Sequence, residues 1–363
     1  MDKFGSFVKS LIKRLMTDFP KNYCLNYKKL DKEIKTDNNT TDYKKQKERK
    51  MKEKVKVGLL LLLVLCAVLV IDYFSSYAFD LIALAFALIA STEYARLQLK
   101  SGMPCFKWTP QIATALIFIS AIIGYLCSAS AIVILLIEII VVGLVYLAIF
   151  VGSAFILKED TSKDEFRQAV GMSTTRFAFF KSNNTLLAIL YPGVMLLFVT
   201  MLNHCQDLGF GAFSANTEGA NMGLLGIILV FAICCMSDTF AMLFGTLIKG
   251  KKLCPKISPN KTISGAIFGL IGGMLGAMLV YFVGGAIYKT IFANVAWWEF
   301  IIVGFMGSVV AQLGDIFESA VKRKAGEKDS GDLFRSHGGV LDRLDSVIFA
   351  IPYIFICLLF IFG

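Results

Sequence analysis

Apolar residues along this chain gather into runs of about 20, long enough for a helix to cross a hydrocarbon layer of ~30 Å. Nine such runs stand out, over roughly 57–73, 76–95, 110–127, 131–157, 184–203, 222–247, 263–288, 298–321 and 342–362. Only tight turns around Ser75-Ser76 and Ser128-Ala129-Ser130 separate the first run from the second and the third from the fourth, so the count is open by one at either place. A helix satisfies its own backbone hydrogen bonds inside lipid. The pattern therefore predicts an all-α, polytopic integral membrane protein with about nine transmembrane helices.

The stretch before the first run has a different rhythm. Phe4, Phe7, Val8, Leu11, Ile12, Leu15, Met16 and Phe19 recur at helical spacing, with Lys3, Lys9, Lys13 and Arg14 off that stripe and Pro20 closing it. Residues 1–20 read as a basic amphipathic helix that lies on an anionic leaflet or packs on the protein's own loops. Residues 21–56 are polar and Lys-rich, a charged tether. The membrane part divides into N-terminal helices over 57–203 and a C-terminal half over 204–363. No apolar segment precedes the first run closely enough for a cleaved signal peptide.

Composition agrees with this division. Of 363 residues 56% are apolar and 18% charged, against about 25% charged in a soluble domain, so a soluble enzyme, a disordered chain and a secreted disulfide scaffold are all poor fits. The net charge of +10 is concentrated, since residues 1–56 hold 17 basic and 8 acidic side chains and the remaining chain 20 and 19. With the N-terminus inside, 36 of the 37 Lys and Arg fall on one side of the membrane, and Lys289 alone falls in an outer loop. The bias predicts a cytoplasmic N-terminus and an outer C-terminus. The basic charge thus marks orientation and anionic lipid, with no nucleic-acid partner. The nine cysteines show no ligand-like spacing and read as small apolar residues.

Acids inside apolar runs are expensive and tend to mark function. Asp72 and Asp80 flank an outer turn and are expected to reach the interface in a structural role. Glu138 is an isolated acid that either pairs or stays protonated. Asp315, Glu318, Ser319 and Lys322 follow one another at i, i+3, i+4 and i+7, on one helix face near the inner end of a run. Asp342 and Asp345 share a face at the start of the last run. Between these pairs lie Lys322-Arg323-Lys324, Lys328-Asp329-Ser330-Gly331 and His337-Gly338-Gly339. Carboxylates hold hard cations, while cations and glycine backbone N–H groups hold phosphate oxygens, so this convergence fits a magnesium–polyphosphate site. The alternative is a basic inner loop with incidental acids. Upstream, Ser237-Asp238 lies about ten residues from the inner end of its run, and Ser258-Pro259-Asn260-Lys261-Thr262 forms a turn before a helix whose N-terminus can face an anion. Gly265, Gly269, Gly272, Gly273 and Gly276 in that next run read as packing positions.

The ordered run from Ser319 through Lys322-Arg323, Lys328-Asp329-Ser330-Gly331 and His337-Gly338-Gly339 to Asp342-Arg343-Leu344-Asp345 resembles the signature of the phosphatidate cytidylyltransferases. Asp238-Thr239-Phe240-Ala241 and Ser258-Pro259-Asn260-Lys261-Thr262 resemble that family's earlier motifs. The resemblance covers roughly 220–363. It departs from the family at Met242, Thr246, Ser264 and Arg335-Ser336, where Tyr, a basic residue, Glu and Pro-Gly are usual. It implies transfer of CMP from CTP to phosphatidic acid, giving CDP-diacylglycerol and pyrophosphate with Mg2+ as cofactor, one cation or two. By the same analogy the metal sits on Asp315 and Asp342 with Asp345 as ligand or support. Lys322, Arg323 and Lys328 hold triphosphate oxygens or the lipid phosphate, Asp238 and Lys261 complete the nucleotide side, and Ser258, Thr262, Asp329 and Arg343 also bind substrate. His337 orients a phosphate, protonates the leaving group or stabilises its loop. CTP, phosphatidic acid and membrane lipids are the implied partners, with a homodimer plausible from the glycine-rich faces. The site would face the cytoplasm in an inner or plasma membrane. A related CTP-dependent lipid enzyme (a polyprenol kinase or an archaeal-type lipid cytidylyltransferase), a non-catalytic transporter and a weakened paralogue remain as alternatives.

Overall fold

Backbone N–H and C=O groups that enter lipid need partners within their own segment, and each long apolar run answers with a helix. A computed structural model describes residues 63–64, 66–129, 131–159, 173–205, 222–293, 295–334 and 338–362. The basic head, the tether and His337 lie outside the described residues. Residues 63–64 and 66–74 are helical, and this is the described part of the first expected run. Then follow α1 (Ser76–Lys100), α2 (Thr109–Leu126), α3 (Ala131–Glu159), α4 (Thr174–Ala188), a π-helical turn (Ile189–Val194), α5 (Met195–Asn203) and α6 (Met222–Ile248). A hairpin of β1 (Lys252–Cys254) and β2 (Ser258–Thr262) leads into α7 (Ile263–Ile287), the short α8 (Lys289–Phe292), α9 (Trp297–Lys324) and α10 (Leu341–Phe362).

Eight helices among the described residues are long and apolar enough to cross a membrane, with α4, the π-turn and α5 forming one of them. They match the second to ninth expected runs, and the protein is an all-α polytopic membrane protein. The helices outlast the apolar runs. The run expected at 184–203 begins at Thr174, which puts Arg176 and Lys181 on the helix instead of in a loop. Likewise α1 continues to Lys100 and α9 to Lys324. Backbone hydrogen bonding continues past the apolar boundary, and basic side chains at a helix C-terminus complement its dipole.

Two groups of helices meet in one apolar core. α6 packs on α7, α7 on α9 and α9 on α10, while α1 packs on α2, α5 and the π-turn; α5 and α10 join the groups. The α6–α7 seam is close. A Cβ at Gly276 would lie 2.6 Å from the carbonyl oxygen of Ala232, so the packing role expected for these glycines holds.

The expectation for Asp72 and Asp80 does not hold, because both are buried. Asp80 is 0% exposed and lies 2.7 Å from Nε2 of His204, with Asn203 donating to its other oxygen at 3.3 Å. A carboxylate taken out of water needs such partners. Glu138 is paired too, accepting from Ser120 Oγ at 2.8 Å.

Candidate active site

The C-terminal end of α9, the N-terminal end of α10 and the loop between them meet the middle of α6, the hairpin and α1. Lys322 is the hinge of this region. Four residues after Glu318 on α9, its ammonium pairs with that carboxylate and donates to Asp342 Oδ1 at 2.6 Å, all three side chains being buried. Asp342 Oδ2 in turn accepts from Ser330 N at 2.7 Å and Gly339 N at 2.8 Å, and lies 2.9 Å from the Ser330 hydroxyl, whose one proton it shares with Glu93. Asp342 therefore binds the Lys-Asp-Ser-Gly loop to the start of α10 through Oδ2, while Oδ1 faces Lys322.

A second carboxylate completes this knot, and sequence reasoning passed over it. Glu93, on α1, accepts from Ser330 Oγ at 2.9 Å, Val340 N at 3.1 Å and Leu341 N at 2.8 Å. It caps α10 across the molecule, supplying acceptors to N–H groups that a helix start leaves without partners. The position of an acid near the end of an apolar run was a usable signal. Gly338 has φ +80, and a Cβ there would collide with the Asp342 carboxylate; a Cβ on Gly339 would collide with that of Glu93. Gly339→Ala is therefore expected to destabilise the detergent-solubilised protein by about 1–3 kcal/mol. Gly143→Ala on α3, where nothing lies within 4 Å of a Cβ, should leave the unfolding midpoint unchanged in the same measurement.

The other acids are more open. Asp315 is 27% exposed, lies 2.5 Å from Lys261 Nζ and accepts from Ser319 Oγ at 3.3 Å. Asp238 reaches Ser346 Oγ at 3.5 Å, and Asp345 accepts from Ser346 N at 2.7 Å. Asp315, Asp238 and Asp345 come from three passes of the chain and stand close enough to repel one another. Among the described residues no three acids, histidines or cysteines converge in ligand-ready geometry. Magnesium is held through one or two carboxylates with water and substrate phosphates, a chemistry that the part-exposed carboxylate of Asp315 fits. Asp342 Oδ2 faces two backbone N–H groups and the Ser330 hydroxyl, while Oδ1 meets Lys322 alone.

The remaining expected residues separate by position. Arg323 donates to the carbonyl oxygens of Ile257 at 3.1 Å and Glu327 at 2.8 Å, fastening the hairpin to the end of α9. Thr262 is the N-cap of α7, accepting from Gly265 N at 3.1 Å, and Ser258 opens β2 opposite Cys254. Lys328, Asp329 and Arg343 are exposed, and Lys261 is half-buried beside Asp315. Burial pushes the Cys254 thiol up, with Lys261 opposing, so this cysteine behaves as the small apolar residue expected.

A cavity of about 380 Å³ runs from this region into the helices. Asp238, Arg343 and Ser346 stand at one end, and the rest of its wall is almost wholly apolar, from the residues before α1 and from α1, α5, α6 and α10.

Acids, lysines and glycine loops thus meet at one end of a bundle of membrane-spanning helices, beside an apolar cavity. The chain matches the cytidylyltransferase family over residues 52–361 and belongs to it. It is 33% identical over 197 residues to a phosphatidate cytidylyltransferase of Staphylococcus saprophyticus and 34% identical over 197 residues to one of Staphylococcus haemolyticus. It is also 33% identical over 189 residues to one of Staphylococcus aureus. Each match covers 52% of this chain and 63% of the relative, so the chain spans less than two thirds of the curated relatives it matches.

Proposed function

We propose that the protein transfers CMP from CTP to phosphatidic acid, giving CDP-diacylglycerol and pyrophosphate. The observation that carries this reading is the junction of two environments. Asp238, Arg343 and Ser346 line one part of an otherwise apolar cavity, and the ion pair of Asp315 with Lys261 joins the neighbouring α9 to the hairpin. One substrate of such a site is a polyphosphate and the other carries hydrocarbon.

A phosphate monoester oxygen of the lipid attacks the α-phosphorus of CTP in line. The new P–O bond forms as the bond to the β-phosphate oxygen breaks, and pyrophosphate leaves with that electron pair. No protein nucleophile is needed, so positioning and charge neutralisation supply most of the rate. Lys261, Lys328 and Arg343 hold phosphate oxygens. Mg2+, held by Asp315 with water and triphosphate oxygens, would neutralise charge on the triphosphate. Lys322, Glu93 and Asp342 hold the two glycine loops in place, and Arg323 and Thr262 hold the hairpin and α7. The concentration of Lys and Arg at this end of the bundle supports a site on the cytoplasmic face, which soluble CTP reaches directly.

Purified protein in vesicles is expected to convert labelled CTP and phosphatidic acid into CDP-diacylglycerol and an equal amount of pyrophosphate. The same assay offered a polyprenol and an isoprenoid ether-lipid phosphate should show little product. Turnover with one of those and none with phosphatidic acid would move the protein to another lipid reaction. No turnover with any of them would remove the enzymatic reading.

A further inference from the structure

We infer that the apolar cavity takes one acyl chain of the lipid substrate and limits how far that chain is gripped. The inference rests on the reaction proposed above and concerns the substrate of that same site.

The lining residues are ordered along the bundle. At the site end stand Asp238, Arg343 and Ser346; at the far end stand Phe79, Leu202 and Ile227, all three buried. Along α6 the distance from Asp238 to Ile227 is ~16 Å at 1.5 Å per residue. Bonds of ~1.5 Å at ~111° advance an extended hydrocarbon chain by about 1.25 Å per carbon, so the slot holds about a dozen carbons. Its walls offer almost nothing polar to a nucleotide, whereas the exposed guanidinium of Arg343 at the mouth complements a lipid phosphate. A phosphate at one end and hydrocarbon at the other describe one molecule, an acyl lipid phosphate.

Polar groups stand at the far end, where Leu202 is followed by Asn203-His204 and Phe79 lies between Ser76 and Asp80. Asn203 Nδ2 donates to Ser76 O at 3.1 Å and to Asp80 at 3.3 Å, while His204 lies 2.7 Å from Asp80 and stacks against Tyr125. This polar lock ties the start of α1 to the end of α5. An acyl chain that pushed through it would leave a buried carboxylate without partners, which is strongly unfavourable. Carbons beyond the floor therefore gain no contact.

The test is the dependence of turnover on chain length, in mixed micelles of dihexanoyl, didecanoyl, dipalmitoyl and longer phosphatidic acids. For the unmodified protein kcat/KM should climb with length and level off beyond about a dozen carbons. Ala83→Phe, which narrows the slot one helical turn from Phe79, should keep dihexanoyl turnover within about twofold and lower dipalmitoyl kcat/KM at least about tenfold. Leu202→Ala, which deepens the floor, should move the plateau to longer chains. A flat length profile in an active enzyme overturns the slot. So does an unchanged profile in both variants, or an equal loss at all lengths in both. No turnover at any length overturns the reaction itself, and the slot's role with it.

Discussion

Asp315→Asn is expected to lower CMP transfer by about 10²–10³-fold while leaving the thermal unfolding midpoint within a few degrees. The two effects separate because of where the side chain sits. Asp315 is 27% exposed, with Lys261 and Ser319 as its partners, so asparagine keeps the volume and an acceptor without stranding a buried charge. What disappears is the negative charge facing Asp238 and Asp345, the group best placed to hold a cation against a triphosphate. Turnover with labelled CTP and phosphatidic acid, set beside a melting curve in the same detergent, checks both parts. Normal turnover would take Asp315 out of the chemistry. A matching collapse of the midpoint would make it a structural residue.

Glu93→Gln should show the opposite division, with a large loss of stability preceding any loss of chemistry. Three donors converge on this carboxylate, and Val340 N meets one oxygen while Leu341 N and Ser330 Oγ meet the other. An amide has only one acceptor oxygen, so in either orientation its NH2 faces at least one buried donor. Each unsatisfied donor costs about 1–3 kcal/mol, and the glycine backbone packed against the carboxylate leaves no room for the amide to turn away. The unfolding midpoint should fall by several degrees, and turnover measured well below that midpoint should fall at least about tenfold as both loops shift. Because the residue acts through the loops, kcat should fall further than the affinity for CTP. An unchanged midpoint would show that the cap on α10 is dispensable.

Glu93 also shows where sequence reasoning stops. Its partners lie 237 to 248 positions away, and two of them are backbone N–H groups that leave no trace in residue identity. The family resemblance began near residue 220, so nothing pointed from the signature loops back to α1. The pair of Asp80 and His204, separated by 124 positions, escaped in the same way, and an acid expected at the interface is buried. Asp342 was found as part of the site, but its lone pairs could be counted only once Lys322, Ser330 and Gly339 surrounded it. The open acids emerged by the same route, since Asp238, Asp315 and Asp345 come from three separate helices.

The spans were legible because partition into lipid is a local property, decided by about 20 consecutive side chains with little regard to the rest of the chain. The family was legible as well, since the ordered motifs from Ser319 to Asp345 carry the resemblance that the family match over residues 52–361 bears out. Only the tertiary structure decided which carboxylate stays open and which is engaged in holding loops, because hydrogen bonds have fixed reach and their partners come from distant parts of the chain. The tertiary structure alone also made a slot, as an apolar wall belongs to no single helix and exists only where several pack around a space they do not fill.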